Sequence, residues 1–465
     1  MSELKLPQAM AELRTSLPDV VAAGQESAPY FATLLSSKQG VRVFVDNREE
    51  GVTEIPPSAG SVLTAFDGET VFERAVGGFD KQEIEKAARE LVTSEKFDPT
   101  YKPEAKPERR GDFVSEMKID PLELSIQEKL DRCRELQKRI KALDERIVNA
   151  RVGYNEATEY SVFANSSSDL AQRVQRVHIL MVLFVAGSDG QVRYDWLSKS
   201  GTGGIELLDM NDEDIESILK SSLGLLKAER IEPGEYQVIS APGVSGTICH
   251  ESFGHGVETD MFLKERAKAA HFIDKPIGSQ LVNIADNPAA ENGFGSYFFD
   301  DEGQMATDTK IVKDGVFKRG ITDFYSATAL DIPRSANGRR QDYSRKAYAR
   351  MSNTYFEAGE TPLEDMLAQV DNGIYLDRWS SGMEDPQGWG IQVTCHFGRE
   401  IKNGKITDRV FAPIGISGYV PKVLGSITAV SNEMYLEPGT CGKGNKELLP
   451  VASGGPHLLM RAPLG

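Results

Sequence analysis

The 465-residue chain carries 70 acidic and 53 basic side chains, a formal net charge of -17. That balance excludes a general nucleic-acid or anionic-membrane binder, because the phosphates would be repelled. With 40% apolar and 26% charged residues the composition is that of a soluble globular protein of two or three domains.

The first ten residues lack the basic and apolar regions of a secretory leader, and the longest apolar run, Ile179 to Ala186, is too short to span a bilayer. Four scattered cysteines (Cys133, Cys249, Cys395 and Cys441) form no CxxC pair, which fits a reducing cytoplasm.

In chain order, Met1 to Ala23 has a helical apolar pattern interrupted by Pro7 and Pro18. Strands are expected at Tyr30 to Leu35, Val41 to Val45, Ser61 to Ala65 and Thr70 to Val76, with Asp67-Gly68 as a two-residue turn between the last two. Gln82 to Val92 reads as a helix. Residues 96–118, with Pro99, Pro103 and Pro107 among charges, read as an extended connector. Ser125 and Glu128 form a capping box that opens a long helix over residues 125–150, apolar at Ile126, Leu130, Cys133, Leu136, Ile140, Leu143 and Ile147. About three heptads favour one amphipathic helix covering a sheet over a partner-binding coiled coil.

Strands resume at Glu159 to Ala164, His178 to Ala186 and Gln191 to Trp196, and a helix spans Ile215 to Leu226. Pro233-Gly234 marks a boundary. Beyond it, Asp314-Gly315 and Asn403-Gly404 are hairpin signals, and Pro362 to Val370 reads as a short helix. The fold class predicted is α+β. An N-terminal α/β domain, residues 1–232, has a mixed sheet and long helices. A C-terminal β-rich domain, residues 233–465, has antiparallel hairpins and carries the helix described next.

That helix, expected to begin at Gly246 or Thr247 after the strand Glu235 to Ala241, bears His250-Glu251-Ser252-Phe253-Gly254-His255. Two imidazoles suit a transition metal, and the carboxylate between them could deprotonate a metal-bound water. The familiar zinc-protease spacing is HExxH. A separation of five residues turns two side chains roughly 140° apart on an ideal helix. The helix must therefore be irregular over Ser252 to Gly254, with a π-bulge at Gly254 one way to achieve it. Spacing alone fits a bland turn with two polar rings equally well.

A third ligand stays open on this reading. Glu258 and Asp260 could bind directly or orient the imidazoles. His271, His396 and His457 are further candidates, whereas Cys249 and Cys395 fall on core positions. Cys441 lies in Gly439-Thr440-Cys441-Gly442-Lys443-Gly444, where glycines allow close approach and Lys443 favours the thiolate.

Several blocks then carry a family resemblance. His250 to Glu258, Gly295 to Gly303, Asn337 to Arg340, Arg350 to Tyr355 and Gly439 to Gly444 occur in the order seen in the TldD/PmbA family of zinc metallopeptidases, and the chain resembles its metal-bearing TldD side. The resemblance implies zinc held by His250, His255 and Cys441, with Glu251 as catalytic acid/base. It also implies a dimer, either a homodimer or a pair with a metal-less TldE-like sibling, that cuts unfolded or modified peptides. An extended peptide would bind best as an added strand on an open sheet edge. Arg339, Arg340 and Tyr297 are candidate oxyanion donors. The competing functions are a peptide-binding scaffold with a structural or regulatory zinc, and a hydrolase of another amide.

Overall fold

The computed structural model describes residues 3–98, 100–102, 108–444 and 447–465, so Pro99, Pro103 and Pro107 of the expected connector lie outside the described residues. Helices α1 (Gln8–Arg14) and α2 (Leu17–Gln25) precede a meander of β1 (Tyr30–Val45), β2 (Glu50–Phe66) and β3 (Val71–Gly77). Helix α3 (Lys81–Ser94), strand β4 (Arg109–Val114) and helix α4 (Ile126–Lys141) follow. Strands β5 (Ile147–Asn165) and β6 (Ser168–Ala186) form a long antiparallel ribbon, and β7 (Val192–Thr202) and α5 (Asp212–Leu225) complete the first half.

The sheet order is β3-β2-β1-β5-β6-β4, with β7 also on β6. Strands β4 and β7 divide the outer edge of β6 between them, one parallel along Ser168 to Arg173 and the other antiparallel from Arg176 to Ala186. Part of the stretch read as a connector is thus a strand, because the backbone groups of β6 need partners that adjacent residues cannot supply. Helices α2 and α3 cover one region of the sheet through Leu17, Val20, Ile84 and Leu91. Helix α4 covers another through Leu130, Cys133, Leu136 and Ile140, as one amphipathic helix.

Helix α4 begins with the expected capping box but ends at Lys141, not near residue 150. Asp144 accepts from the Arg146 amide and turns the chain, and Ile147 opens β5. The apolar spacing had continued across that turn because a strand supplies the next apolar residues. Asp67-Gly68 is likewise part of a four-residue turn, with Phe66 paired to Val71 and Asp67 accepting from the Glu69 and Thr70 amides.

From β8 (Gly234–Ser240) the chain enters α6 (Pro242–Phe253). The following short strands are β9 (Ile284–Asp286), β10 (Thr309–Lys313), β11 (Val316–Phe317), β12 (Gly338–Arg339), β13 (Tyr348–Ala349) and β14 (Asn353–Phe356). Next come β15 (Asn372–Asp385), β16 (Gly390–Lys402), β17 (Lys405–Phe411) and β18 (Ile414–Tyr419). The last are β19 (Ala429–Val430), β20 (Tyr435–Lys443), β21 (Glu447–Gly455) and β22 (Leu458–Leu464). One sheet runs β11-β10-β9-β14-β21-β20. A second runs β15-β8-β22-β18-β16-β17, and β15 also pairs with β16, closing a barrel. Both hairpin signals hold. Asp314 and Gly315 have φ of 50° and 74°, and Asn403 and Gly404 have 51° and 74°, the left-handed pair that two-residue turns require.

Helix α6 is wedged between the barrel and the other sheet, touching β15 and β16 on one side and β14, β20 and β21 on the other. It starts at Pro242, earlier than expected, with proline at a first-turn position that needs no amide donor. Gly243 to Cys249, Ser252 and Phe253 are all buried, so the helix lacks the polar stripe that marks a helix in sequence. Gly246 permits the closest approach. A Cβ there would lie 2.3 Å from the Gly454 amide nitrogen and 2.6 Å from the Ser453 carbonyl carbon. Backbone cannot yield as a side chain can, so Gly246→Ala should destabilise the fold by about 1–3 kcal/mol or more. Chemical denaturation with helix content as the readout checks this through a lowered midpoint.

Candidate metal centre

Helix α6 delivers His250 and Glu251 in its last turn, and it stops at Phe253. Gly254 leaves the helix with φ -100° and ψ -81°, and His255 opens a single 3-10 turn, His255–Val257. The irregularity is a termination and not a π-bulge, since the Gly254 amide still bonds the His250 carbonyl at 3.1 Å in ordinary α register. The change of direction brings the two imidazoles together, edge to face, with ring centres 5.1 Å apart. Gly254 is needed for space. A Cβ would sit 2.0 Å from Met351 Sδ and 2.3 Å from the His250 carbonyl oxygen.

Strand β20 brings the third group. Cys441 is buried, and its Sγ lies 3.2 Å from His255 Nε2. One donor atom each from His250, His255 and Cys441 lies within 4.8 Å of the other two. Burial alone would raise the Cys441 thiol, yet His250 and His255 hold it well below the ordinary thiol range. Their protonated, imidazolium forms are stabilised in return. Against the opposing effect of burial, Glu258 and Cys441 raise His255 well above its usual value, and Cys441 raises His250. A thiolate between two imidazoles is the donor set of a zinc site that keeps a position open. The buried Nδ1 of His250, which has no hydrogen-bond partner, is a further unmet demand in the same place. The residues present therefore fit such an ion.

Behind His255 stands Glu258, with Oε2 at 3.5 Å from Nδ1. Burial opposes its ionisation, but Lys443, His255 and Arg350 hold it at about 2. Lys443 bonds Glu258 at 3.1 Å and Asp260 at 2.6 Å. Glu258 thus stands behind His255 in the orienting position, and Asp260 holds Lys443; neither belongs to the donor group. The remaining candidates lie elsewhere. His271 is exposed and outside the donor group, His396 bonds the Tyr194 carbonyl at 2.6 Å, and His457 bonds the Tyr375 hydroxyl at 3.1 Å. Cys249 and Cys395 are in the core. Arg339 donates to the Met351 and Pro450 carbonyls, Arg340 pairs with Glu73, and Tyr297 donates to the Ala336 carbonyl. As placed, these three bond backbone carbonyls and Glu73, away from the three-donor group.

Glu251 points towards β15. A Cβ at Gly382 would lie 2.5 Å from its Oε1. Glu384 of the same strand faces Glu251, and burial together with that neighbouring carboxylate pushes Glu384 up to about 7, against the pull of His255. Glu437 of β20 accepts from Trp379 Nε1 at 2.7 Å and lies against Gly243 at the start of α6. Burial raises its pKa. Sequence reading singled out neither acid, for neither has a spacing that signals it.

Among the described residues, two strand edges near the centre are unpaired. Strand β15 pairs with β8 only at Ile374 to Leu376, and β20 ends its sheet. Among the described residues, Asp377 to Asp385 have no other strand on that side.

The chain matches two family profiles, the PmbA/TldA metallopeptidase central domain over residues 119–230 and the C-terminal domain over residues 233–462. A protein of Methanothermobacter thermautotrophicus named a metalloprotease is 31% identical over 320 residues, 68% of this chain and 69% of its own. A zinc metalloprotease TldD homolog of Saccharolobus solfataricus is 31% identical over 257 residues, 55% of this chain and 57% of its own. Among solved structures, a candidate modulator of a DNA gyrase from Thermotoga maritima has a TM-score of 0.78 at 17% identity, covering 98% of this chain and 100% of its own. TldE of Thermococcus kodakarensis has a TM-score of 0.75 at 15% identity, covering 97% and 100%. At those identities the structures show the fold alone.

Gly254→Ala should weaken zinc binding at least tenfold although residue 254 offers no donor atom, since the added carbon must displace Met351 or reshape the turn before His255. Chelator competition on the purified protein measures the loss.

Proposed function

Because the chain belongs to the PmbA/TldD metallopeptidase family, we propose that it is a zinc-dependent peptidase acting on extended, unfolded or modified peptides. The observation that carries this reading is the place of Glu251, adjacent to His250 in the last turn of α6 and packed against Gly382 of β15, next to the His250, His255 and Cys441 group. A bound zinc supplies Lewis acidity and a water of lowered pKa. Glu251 is the base that accepts the proton of the attacking water and then passes it to the leaving amine. Glu384 lies beside Glu251 and, pushed up to about 7, can hold a proton there. His250, His255 and Cys441 are the proposed ligands that would hold the ion.

The unpaired edges of β15 and β20 support binding of the peptide as an added strand. Strand pairing uses substrate amides and carbonyls, so it tolerates varied side chains and demands an extended chain. On this reading the protein works as a dimer, with itself or with a metal-less TldE-like sibling, as the family resemblance implies. No helix among the described residues is long and apolar enough to cross a membrane, and the four cysteines are free, in keeping with action in the cytoplasm.

Glu251→Ala, loaded with zinc, should keep its metal and lose about 10²- to 10⁴-fold in peptide hydrolysis, the usual contribution of a general base. Metal analysis beside turnover of an unstructured peptide checks both halves, and wild-type turnover in the loaded variant would sink the mechanism. Backbone N-methylation of a substrate peptide near its scissile bond should raise KM severalfold with side chains unchanged, because each methyl removes a ladder donor. A KM series over singly methylated peptides measures it.

A further inference from the structure

Arg350 is fully buried, among the largest side chains in that state. Its guanidinium reaches three ways. Nη2 donates to the Cys441 carbonyl at 2.8 Å and contacts Cys441 Sγ at 3.4 Å. Nη1 donates to the Glu447 carbonyl at 2.9 Å, on the far side of the β20–β21 hairpin. Nε stands 3.7 Å from Glu258 Oε1, an ionic contact without a hydrogen bond. The other oxygen of Glu258 faces His255. One side chain therefore touches the thiol directly and one imidazole through a single carboxylate.

The backbone that carries Arg350 is itself held. Its amide donates to the Asn337 carbonyl at 2.9 Å, and Asn337 Nδ2 donates to its carbonyl at 3.0 Å. Two residues on, the Ser352 amide and hydroxyl both bond the buried Asp286. The next side chain, Met351, is the one that presses on Gly254 where the helix ends. Consecutive residues of one anchored segment thus meet the two halves of the centre, Arg350 on the strand side and Met351 on the helix side.

We propose that Arg350 is a positioning residue that sets the separation between Cys441 and His255 and so prearranges the centre for its metal. This rests on the reading of His250, His255 and Cys441 as ligands. Only arginine offers donors in a rigid fork wide enough for a carbonyl, a sulfur and a carboxylate together; lysine is a single flexible point. An isolated buried cation would be costly, and these contacts are what offset that cost.

Cobalt(II) added to the full chain is the probe, read by chelator competition for affinity and by the thiolate-to-cobalt charge-transfer absorption for the Cys441 bond. Arg350→Gln should weaken cobalt about 10- to 100-fold, the usual effect of removing a group that orients a ligand, and should diminish the charge-transfer band per bound ion. Arg350→Lys, which keeps the charge, should recover part of the affinity. Combined with Glu258→Gln, the Arg350→Gln loss should be smaller than the sum of the two single losses, since both act through one contact. Either Arg350 variant that melts cooperatively and binds cobalt with wild-type affinity and band overturns the proposal. If Arg350→Gln does not fold, the lysine variant decides by the same criterion. Cys441→Ser separates the two levels, because a charge-transfer band that survives it refutes the ligand reading itself and not merely the role of Arg350.

Discussion

The 3.2 Å contact between Cys441 Sγ and His255 Nε2 joins residues 186 positions apart in the chain. It can form only because α6 is clasped between a barrel and a second sheet, with the strand that bears Cys441 at the edge of that sheet. A helix buried on every side must be lined by small and apolar residues, and Gly243, Ser245 and Gly246 let the strands approach. The same tight packing dictates where the helix stops. With Met351 against Gly254 the chain leaves the helix just before His255, and the second imidazole turns back towards the first.

Around this contact the charges alternate. Cys441 and Glu258 flank His255, Lys443 stands between Glu258 and Asp260, and Arg350 lies between Cys441 and Glu258. Buried ion pairs stabilise little once desolvation is counted, so such a network is a poor device for stability. Its effect is on protonation and geometry. It keeps the thiol low, the imidazole high and Glu258 ionised at about 2, the last despite complete burial. A chain with a net charge of -17 thus has, beside its candidate metal donors, a group of nearly balanced charge.

The open edges of β15 and β20 belong to the same logic. Unpaired strand edges are a hazard that folded proteins cover, charge or bend. Here the edges of β15 and β20 are left unpaired among the described residues, while the edge of β6 is filled by β4 and β7. Trp379 reaches from β15 to Glu437 of β20 and ties the two walls together at one end. Glu251 and Glu384 face each other nearby as a pair of acids.

By itself the sequence determined whatever depends on neighbouring residues. The capping box of Ser125 and Glu128, the turns at Asp314-Gly315 and Asn403-Gly404, and the need for a broken helix between His250 and His255 were all legible, because caps, left-handed turns and helical periodicity act over a few residues. The family was legible from the ordered motifs, and Cys441 entered the ligand set through that resemblance and not through its spacing. Tertiary structure decided the rest. The early start of α6 was hidden because burial on all sides erases the polar face that periodicity needs. The strand at Arg109 to Val114 exists because β6 offers it an edge, and α4 ends at a turn that apolar spacing runs straight through. Glu384, Glu437 and Arg350 gain their places only when strands distant in sequence close over α6, for a buried charge is defined by its surroundings, and those are assembled by packing.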